Sequence, residues 1–234
     1  MRAGAVLFDF GGTLDSNGLT WLDRFHPIYV AHGIHTSKEE FAKAFYKSDD
    51  HLPARFSLHE LDLPRTLKLQ VDCVLETLAP ERAGDAQKIA DAFLEESRRS
   101  LRRAEPVLRR LKTRWKLGIV SNFYGNLEAI LAGEGLRGLF DAVADSGRLG
   151  CVKPEPAIFR AALAALGAAA GDSWMVGDSL HRDMRGAEAA GLRHAWLRGP
   201  QPASAVCCAR ARVLSSLDEL EAALAAPAAA EARP

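Results

Sequence analysis

Asp9 is the first side chain in this sequence that is placed to do chemistry. It directly follows the apolar run 6–8, and Phe10 separates it from the glycine pair Gly11 and Gly12. Apolar residues that lead directly into an aspartate and a glycine pair predict a buried parallel strand that delivers a carboxylate to a tight turn. A strand-end aspartate can also cap a turn, so the chemical role of Asp9 depends on the segments that follow.

Three later segments carry polar side chains at comparable positions. Their side chains are Ser121, Asn122, Lys153, Asp178 and Asp183. The first and third of these segments follow apolar runs that predict strands, and the carboxyl ends of parallel strands meet at one edge of a sheet. We therefore expect these side chains to share a cleft with Asp9. Each also has a structural interpretation, as a helix cap or as a solvated loop lysine.

The expected cleft would combine three carboxylates with a hydroxyl and a lysine. Carboxylates without cysteine or histidine ligands suit a hard cation, and Mg²⁺ takes one or two protein carboxylates together with water and phosphate oxygens. The lysine and the hydroxyl would then bind the phosphate. This combination predicts a site for Mg²⁺ and a phosphorylated small molecule.

The pattern of elements predicts the α/β class, with a Rossmann-like parallel sheet core and an inserted all-helical subdomain. After Pro106 the sequence alternates between helices and strands, which is typical of a parallel sheet covered on both faces. We assign the core to 1–15 and 104–225. An Ala- and Pro-rich tail, 226–234, is expected to be disordered.

The insert, 16–103, lacks strand signals and shows helical spacing of its apolar residues. Ser37 and Glu40 form a capping-box pattern at the start of one helix. A second helix is predicted over 63–78, with Pro64 in its first turn. A third is predicted over 86–99, separate from a core helix that begins after Pro106.

Composition excludes several classes of function. The chain has 234 residues, with 30 Lys and Arg balanced by 30 Asp and Glu, so no net charge attracts nucleic acid. No apolar run approaches the roughly 20 residues of a membrane span. We expect a cytoplasmic monomer or homodimer with reduced thiols, since the spacing of its cysteines suits neither zinc nor a disulfide framework. The cysteines are Cys73, Cys151, Cys207 and Cys208.

In order and spacing, the four segments resemble the four motifs of the haloacid dehalogenase (HAD) superfamily, whose members are mostly Mg²⁺-dependent phosphatases. The similarity covers about 1–18 and 105–200. It implies that Asp9 is a nucleophile that forms an aspartyl-phosphate. It also implies that Ser121 and Lys153 hold phosphoryl oxygens.

The resemblance extends to the remaining site residues. Asp178 and Asp183 would bind Mg²⁺ directly or through water, together with Asp9 and the main-chain carbonyl of Gly11. Thr13 and Asn122 would lie on the phosphate side of the site.

The helical insert occupies the position of the superfamily's C1 cap, which closes over the site and supplies specificity. A capped site implies a small phosphorylated metabolite as substrate. Several cap residues could face the cleft, although packed or surface roles are more common for such side chains. They are Trp21, Phe25, His26, His32, His35, His51, Arg55 and His59.

Gly11 departs from the superfamily pattern. Phosphatases of the superfamily usually carry a second aspartate here, which protonates the leaving group and then deprotonates the hydrolytic water. Loss of a positioned acid typically costs about 10²- to 10⁴-fold in rate. We therefore expect slow turnover of phosphate esters with poor leaving groups unless another group replaces this acid.

Several alternatives are consistent with Gly11. The substrate could have a good leaving group, such as an acyl phosphate, or a cap histidine or His181 could donate the proton. The chain could also be a weak or inactive member that acts as a binding or regulatory protein. A last class hydrolyses carbon-heteroatom bonds, as haloacid dehalogenases do without metal and phosphonatases do with a cap lysine. The lysines available for that role are Lys38, Lys43, Lys47 and Lys68.

Overall fold

Six strands form one parallel sheet in the computed structural model, which describes residues 4–200, 208 and 211–226. The strands are β1 (Ala5–Phe8), β2 (Lys116–Ser121), β3 (Ala142–Asp145), β4 (Trp174–Gly177), β5 (Arg193–Leu197) and β6 (Arg212–Leu214). Their order across the sheet is β3-β2-β1-β4-β5-β6. This arrangement confirms the predicted α/β fold with a Rossmann-like parallel sheet.

The first strand lies at the point where the strand order reverses. Phe8 pairs with Ile119 of β2 on one side and with Val176 of β4 on the other. In open parallel sheets, ligands bind outside the carboxyl ends of the strands at such a reversal. Asp9 is therefore delivered to the part of the sheet where a ligand site is expected.

Both faces of the sheet are buried, which explains the uninterrupted apolar run of β1. Val6 and Phe8 pack into a core cluster on one face, whereas Ala5 and Leu7 pack into a second cluster on the other face. Successive side chains of a strand point to opposite faces. An apolar residue is therefore required at every position of β1.

Nine α-helices are found in the described residues. They are α1 (Trp21–Ala31), α2 (Lys38–Arg55), α3 (Leu63–Leu78), α4 (Ala86–Lys112), α5 (Leu127–Gly133), α6 (Ser146–Leu149), α7 (Pro156–Leu166), α8 (Gly186–Ala189) and α9 (Leu220–Ala225). The bounds of α3 and the capping box of Ser37 and Glu40 agree with the predictions.

Helix α4 corrects one expectation. The sequence predicts one helix ending near Arg99 and a second one beginning after Pro106, but a single helix spans Ala86–Lys112 with Pro106 inside it. A proline removes one hydrogen bond from a helix interior. Here Leu101, Ala104 and Val107 continue one buried face past the proline, and this packing holds the helix together. The expected boundary at 103/104 therefore falls inside one continuous helix that joins the insert to the sheet.

Other expectations are met in part. Cys73 and Cys151 are free thiols, as predicted, whereas Cys207 lies outside the described residues. A π-helical turn, Leu180–Arg185, follows β4 and leads directly into the short α8. No helix within the described ranges is long and apolar enough to cross a membrane. The tail from 227 onward lies outside the described residues.

Candidate active site

Asp9 is held in place by its backbone and by one of its carboxylate oxygens. Its N–H donates to the carbonyl of Val176 at 2.9 Å, which extends the pairing of β1 with β4 by one residue. Its Oδ1 accepts from the Phe10 N–H at 2.8 Å and from the Ser121 hydroxyl at 2.6 Å. The carboxylate is thereby fixed at the edge of the sheet beside the end of β2.

Lys153 bridges two of the carboxylates. Its ammonium nitrogen lies 2.8 Å from Oδ1 of Asp9 and 2.7 Å from Oδ1 of Asp183, and the side chain is buried. Burial by itself lowers the pKa of this ammonium, but the two carboxylates outweigh it, so the pKa of Lys153 is raised above its ordinary value. Lys153 is therefore a permanent positive charge within the site.

Asn122 holds the backbone of Lys153. Its amide nitrogen donates to the Lys153 carbonyl at 3.1 Å, and its amide oxygen accepts from the Lys153 N–H at 2.7 Å. The expectation placed Asn122 on the phosphate side, and it does line the same cavity as Asp9. Its hydrogen bonds show how the loop after β2 positions the lysine.

Asp178 follows β4 and is supported by Thr13. The Thr13 hydroxyl donates to Oδ1 of Asp178 at 3.1 Å. Gly12 lies directly against this carboxylate with φ of +89°, and a Cβ on Gly12 would stand 2.7 Å from the carboxylate atoms. Glycine is required here both by the left-handed backbone and by the close approach of Asp178.

Asp183 reaches back to the end of β4 from the turn that follows it. Its Oδ2 accepts from the Ser179 N–H at 2.9 Å. A Cβ on Gly177 would lie 2.3 Å from the same oxygen, so a side chain at that position would displace the carboxylate. The absence of a side chain at Gly177 therefore lets the carboxylates of Asp178 and Asp183 share one small volume.

Asp9, Asp178 and Asp183 form a buried group whose oxygens all lie within 4.8 Å of one another. Burial and the neighbouring carboxylates raise the pKa of Asp178 well above its ordinary value. Burial also raises the pKa of Asp183, although Lys153 opposes this effect. Three clustered carboxylates with one ammonium retain excess negative charge, and an all-oxygen donor set suits a hard divalent cation.

Trp21 occupies the space above Gly11. A Cβ on Gly11 would lie 3.1 Å from the indole nitrogen of Trp21 and 3.4 Å from the adjacent ring carbon. The indole N–H donates to Oδ2 of Asp15 at 2.7 Å, and Arg24 donates to the same oxygen at 3.0 Å. The ring is thus fixed in the space that a side chain at position 11 would enter.

Arg24 anchors this arrangement to the insert. Its guanidinium lies 3.9 Å above the ring of Phe93 on α4 and donates to the Ser97 hydroxyl at 2.8 Å. Both Arg24 and Asp15 are buried. The turn after Asp9 is therefore joined to α1 and α4 by a buried ion pair.

A cavity of about 470 Å³ opens over Asp9 and is walled by both the sheet and the insert. The sheet contributes Asp9, Ser121, Lys153 and Asp178. The insert contributes mainly aromatic and acidic side chains: Trp21, Leu22, Phe45, Tyr46, Asp49 and Asp50. Tyr124 from the loop after β2 and Arg182 from the turn after β4 complete the wall.

Of the cap candidates named from the sequence, Trp21 lines the cavity and the others occupy different places. Phe25 is buried in the core and stacks on Phe93 with 3.8 Å between ring centroids. Arg55 forms an ion pair with Glu76 at 2.6 Å. No histidine, His181 included, is found among the described residues that line the cavity.

Sequence reasoning missed Asp49 and Tyr124. Asp49 lies four residues after Phe45 on α2, so it occupies the otherwise apolar face that packs inward. Tyr124 follows Ser121 by three residues in a loop already singled out for chemistry. The available signal was a carboxylate on the inward face of a predicted helix. This signal identifies a site residue only when the surface that the face packs against is known.

Comparison with known proteins agrees with this geometry. Residues 3–191 match the family of haloacid dehalogenase-like hydrolases. The chain belongs to this family. It is 33% identical over 197 residues to haloacid dehalogenase-like hydrolase domain-containing protein 3 from Bos taurus. The aligned segment covers 76% of this chain and 77% of the bovine protein.

Some members of the family that are similar to this chain are phosphatases. A phosphoserine phosphatase from Thermus thermophilus is 40% identical over 129 residues, or 53% of this chain. This match spans 51% of the Thermus protein, about half its length. The crystal structure of a HAD phosphatase from Thermococcus onnurineus superposes with a TM-score of 0.56 at 27% identity, covering 97% of this chain and 100% of that chain.

Proposed function

We propose that this HAD-like hydrolase is a Mg²⁺-dependent phosphatase that acts on a small phosphorylated metabolite through an aspartyl-phosphate on Asp9. One observation carries the proposal. A buried strand-end carboxylate is in contact with a hydroxyl from Ser121 and an ammonium from Lys153, beside two further carboxylates. Nucleophile, phosphate-binding groups and candidate metal ligands thus meet at one edge of the sheet.

The donor set fits Mg²⁺. Asp9, Asp178 and Asp183 would hold the ion, with the main-chain carbonyl of Gly11 as a further ligand. When bound, Mg²⁺ would neutralise part of the charge on the carboxylates and on the phosphate. The excess negative charge of the three carboxylates supports a cation at this position.

The protein groups around Asp9 have separate roles in the proposed reaction. A carboxylate oxygen of Asp9 attacks phosphorus, and the bond from phosphorus to the leaving oxygen breaks. Ser121 and Lys153 are close enough to Asp9 to donate to the transferring phosphoryl oxygens. Thr13 and Asn122 support the site through Asp178 and Lys153, respectively.

We further propose that 16–103 acts as a cap that selects the substrate. A volume of about 470 Å³ suits a small metabolite, and the wall supplied by the insert differs in chemistry from the charged floor. The phosphoserine phosphatase from Thermus thermophilus supports a phosphate monoester as substrate.

Two alternatives are less well supported by the structure. A phosphonatase needs a cap lysine in the site, but among the described residues that line the cavity the only lysine is Lys153. Lys38, Lys43 and Lys68 form ion pairs with Asp23, Glu39 and Asp72. A metal-free dehalogenase does not account for the two additional buried carboxylates. A non-hydrolytic binding protein is the competing hypothesis, and Mg²⁺-dependent turnover of a phosphate ester would exclude it.

The proposed function is tested by adding and removing the metal. We expect Mg²⁺ to support phosphate release from 4-nitrophenyl phosphate and chelation by EDTA to lower the rate by at least about 10²-fold. Binding at ten times Kd should stabilise the fold by about 1.4 kcal/mol and raise the melting temperature by about 3 to 6 °C. Asp178→Asn is the matched variant that should lose both responses. A melting temperature indifferent to Mg²⁺, with no turnover, would contradict the proposal.

Trp21 determines what an aspartate at Gly11 can do. The φ of −74° at Gly11 is compatible with any residue, but the Trp21 indole would limit the rotamers of an aspartate at this position. We expect Gly11→Asp alone to recover only a small part of the about 10²- to 10⁴-fold that a positioned acid supplies. Combining it with Trp21→Phe should recover more, as measured by kcat for an alkyl phosphate. Equal gains with and without Trp21→Phe would show that the indole is not the obstacle.

A further inference from the structure

Asp49 is a half-buried residue of α2 in the part of the cavity wall that the insert supplies. Phe45 and Asp49 are four residues apart on this helix, and both line the cavity that contains Asp9. The proposed phosphatase needs a proton donor on the substrate's leaving-group side because Gly11 has no side chain. The leaving group of a phosphate bound at Asp9 would occupy the rest of this cavity, and Asp49 forms part of its wall.

Two hydrogen bonds fix Asp49, and both reach the same oxygen. The Tyr124 hydroxyl donates to Oδ1 at 2.5 Å, and the side-chain amide of Gln70 donates to Oδ1 at 3.1 Å. No hydrogen bond within the described part of the chain reaches Oδ2. That oxygen is therefore available to carry a proton and to meet a ligand.

The loop that carries Tyr124 is itself held rigidly. Asp145 at the end of β3 accepts from the Gly125 N–H at 2.9 Å and from the Leu127 N–H at 3.0 Å. Ser146 accepts from the Phe123 N–H at 2.9 Å. The phenol is thus fixed by the core while the carboxyl comes from the insert, so their contact joins the two walls of the cavity.

The surroundings of Asp49 raise its pKa above that of an ordinary aspartate. Burial raises the pKa of Asp49 to about 6, whereas the hydrogen bonds from Tyr124 and Gln70 oppose this rise. Of the charged neighbours, Asp50 raises the pKa further and Arg182 lowers it. Burial and Asp49 raise the pKa of the Tyr124 phenol well above its ordinary value, so Tyr124 stays protonated and remains a donor.

We propose that Asp49 is the proton donor to the leaving group, in place of the carboxyl that is missing at position 11. This inference rests on the proposed phosphatase function. As Asp9 bonds to phosphorus, the electron pair of the broken bond goes to the leaving oxygen, which takes the proton from Asp49 and departs as an alcohol. Water then attacks the aspartyl-phosphate and loses a proton to solvent, phosphate leaves, and Asp9 is regenerated. Asp49 regains its proton from solvent before the next turnover.

Other groups in the cavity are less suited to this role. Tyr124 holds its proton too strongly to give it up near neutrality. Asp50 and Tyr46 line the cavity but are exposed to solvent. Asp49 alone among the cap residues lining the described cavity combines a shielded carboxyl with a fixed orientation.

The test compares leaving groups. We expect Asp49→Asn to lower kcat for an alkyl phosphate, such as glycerol phosphate, by about 10²- to 10³-fold. For 4-nitrophenyl phosphate, whose leaving group needs no proton, kcat should change by less than about fivefold. Glu39→Gln is the control, because it removes an exposed carboxyl from the same helix at a position outside the described cavity lining, and it should leave both rates near wild type.

The pH profile supplies a second measurement that does not require the Asp49 variant to fold. The donor must be protonated, so kcat for the alkyl phosphate should fall as the pH rises through about 6, where Asp49 loses its proton. The aryl phosphate should show no such fall. Tyr124→Phe removes a bond that lowers the pKa of Asp49, so this variant should shift the fall to higher pH.

These outcomes separate the inference from the proposed function. Failure of the wild-type protein to release phosphate from 4-nitrophenyl phosphate with Mg²⁺ would overturn the phosphatase itself. If the wild-type protein turns over 4-nitrophenyl phosphate but Asp49→Asn slows both substrates equally or slows neither, only the role of Asp49 would be overturned. An alkyl-phosphate profile that is flat between pH 5 and 8, or unmoved by Tyr124→Phe, would also overturn it.

Discussion

Asp9→Asn is expected to lower kcat for 4-nitrophenyl phosphate by at least about 10³-fold, because an amide cannot attack phosphorus as a carboxylate does. The fold should survive the change. Lys153 keeps its contact with Asp183 at 2.7 Å, and the amide oxygen can still accept from Ser121 and Phe10. The rate loss should therefore arise from chemistry and not from unfolding.

Thermal unfolding provides the control for this variant. The melting temperature of Asp9→Asn without metal should lie within a few degrees of wild type. Replacing the Asp9 carboxylate with a neutral amide reduces repulsion among three buried carboxylates. A variant that is folded and retains more than a tenth of the wild-type rate would show that another residue is the nucleophile.

Lys153→Met should damage both stability and catalysis. The ammonium is buried between Asp9 and Asp183. Removing one partner of a buried ion pair costs about 3 to 5 kcal/mol because the remaining charge loses its compensation. Loss of a positive charge aimed at the transferring phosphoryl group should also lower kcat by about 10²- to 10³-fold or more.

A surface lysine supplies the comparison for Lys153→Met. Lys112 forms an ion pair with Asp141 at 2.5 Å, but both side chains are substantially exposed. Lys112→Met should therefore cost less than about 1 kcal/mol. Chemical denaturation of both variants measures the difference, and Mg²⁺ should recover part of the stability lost in Lys153→Met. Equal free energies of unfolding for the two variants would contradict the buried bridge.

The sequence alone was sufficient to predict the sheet and the side chains that the sheet brings together. Strand β1 is apolar at every position because both faces are covered, and this pattern is visible without a structure. The carboxylates of Asp9, Asp178 and Asp183 could be placed in one cluster because parallel strands end at a common edge. Short-range patterns thus specified most of the polar residues that meet at this edge of the sheet.

The opposite wall could not be predicted in the same way. Trp21 stands over Gly11 because its indole N–H donates to Asp15, which Arg24 holds in turn, and these contacts depend on how α1 meets α4. Asp49 reaches the cavity only through the packing of α2 against the rest of the insert. Such tertiary contacts join distant parts of the chain, so no local pattern reports them.

The continuous helix α4 illustrates a different limit. Pro106 is a helix-breaking signal, and the sequence-based boundary followed it. The buried face formed by Leu101, Ala104, Val107 and Leu108 stabilises the helix across the proline. Tertiary packing outweighed a local preference, and the insert is consequently joined to the sheet by one uninterrupted helix.

The central claim is that Asp9 becomes covalently phosphorylated. The most direct test mixes the protein and Mg²⁺ with a radiolabelled aryl phosphate and quenches the reaction with acid during the first turnover. We expect label bound to the protein, released by hydroxylamine as an acyl phosphate should be, and absent from Asp9→Asn. Steady release of phosphate with no protein-bound label at any quench time, or label that persists in Asp9→Asn, would contradict the claim.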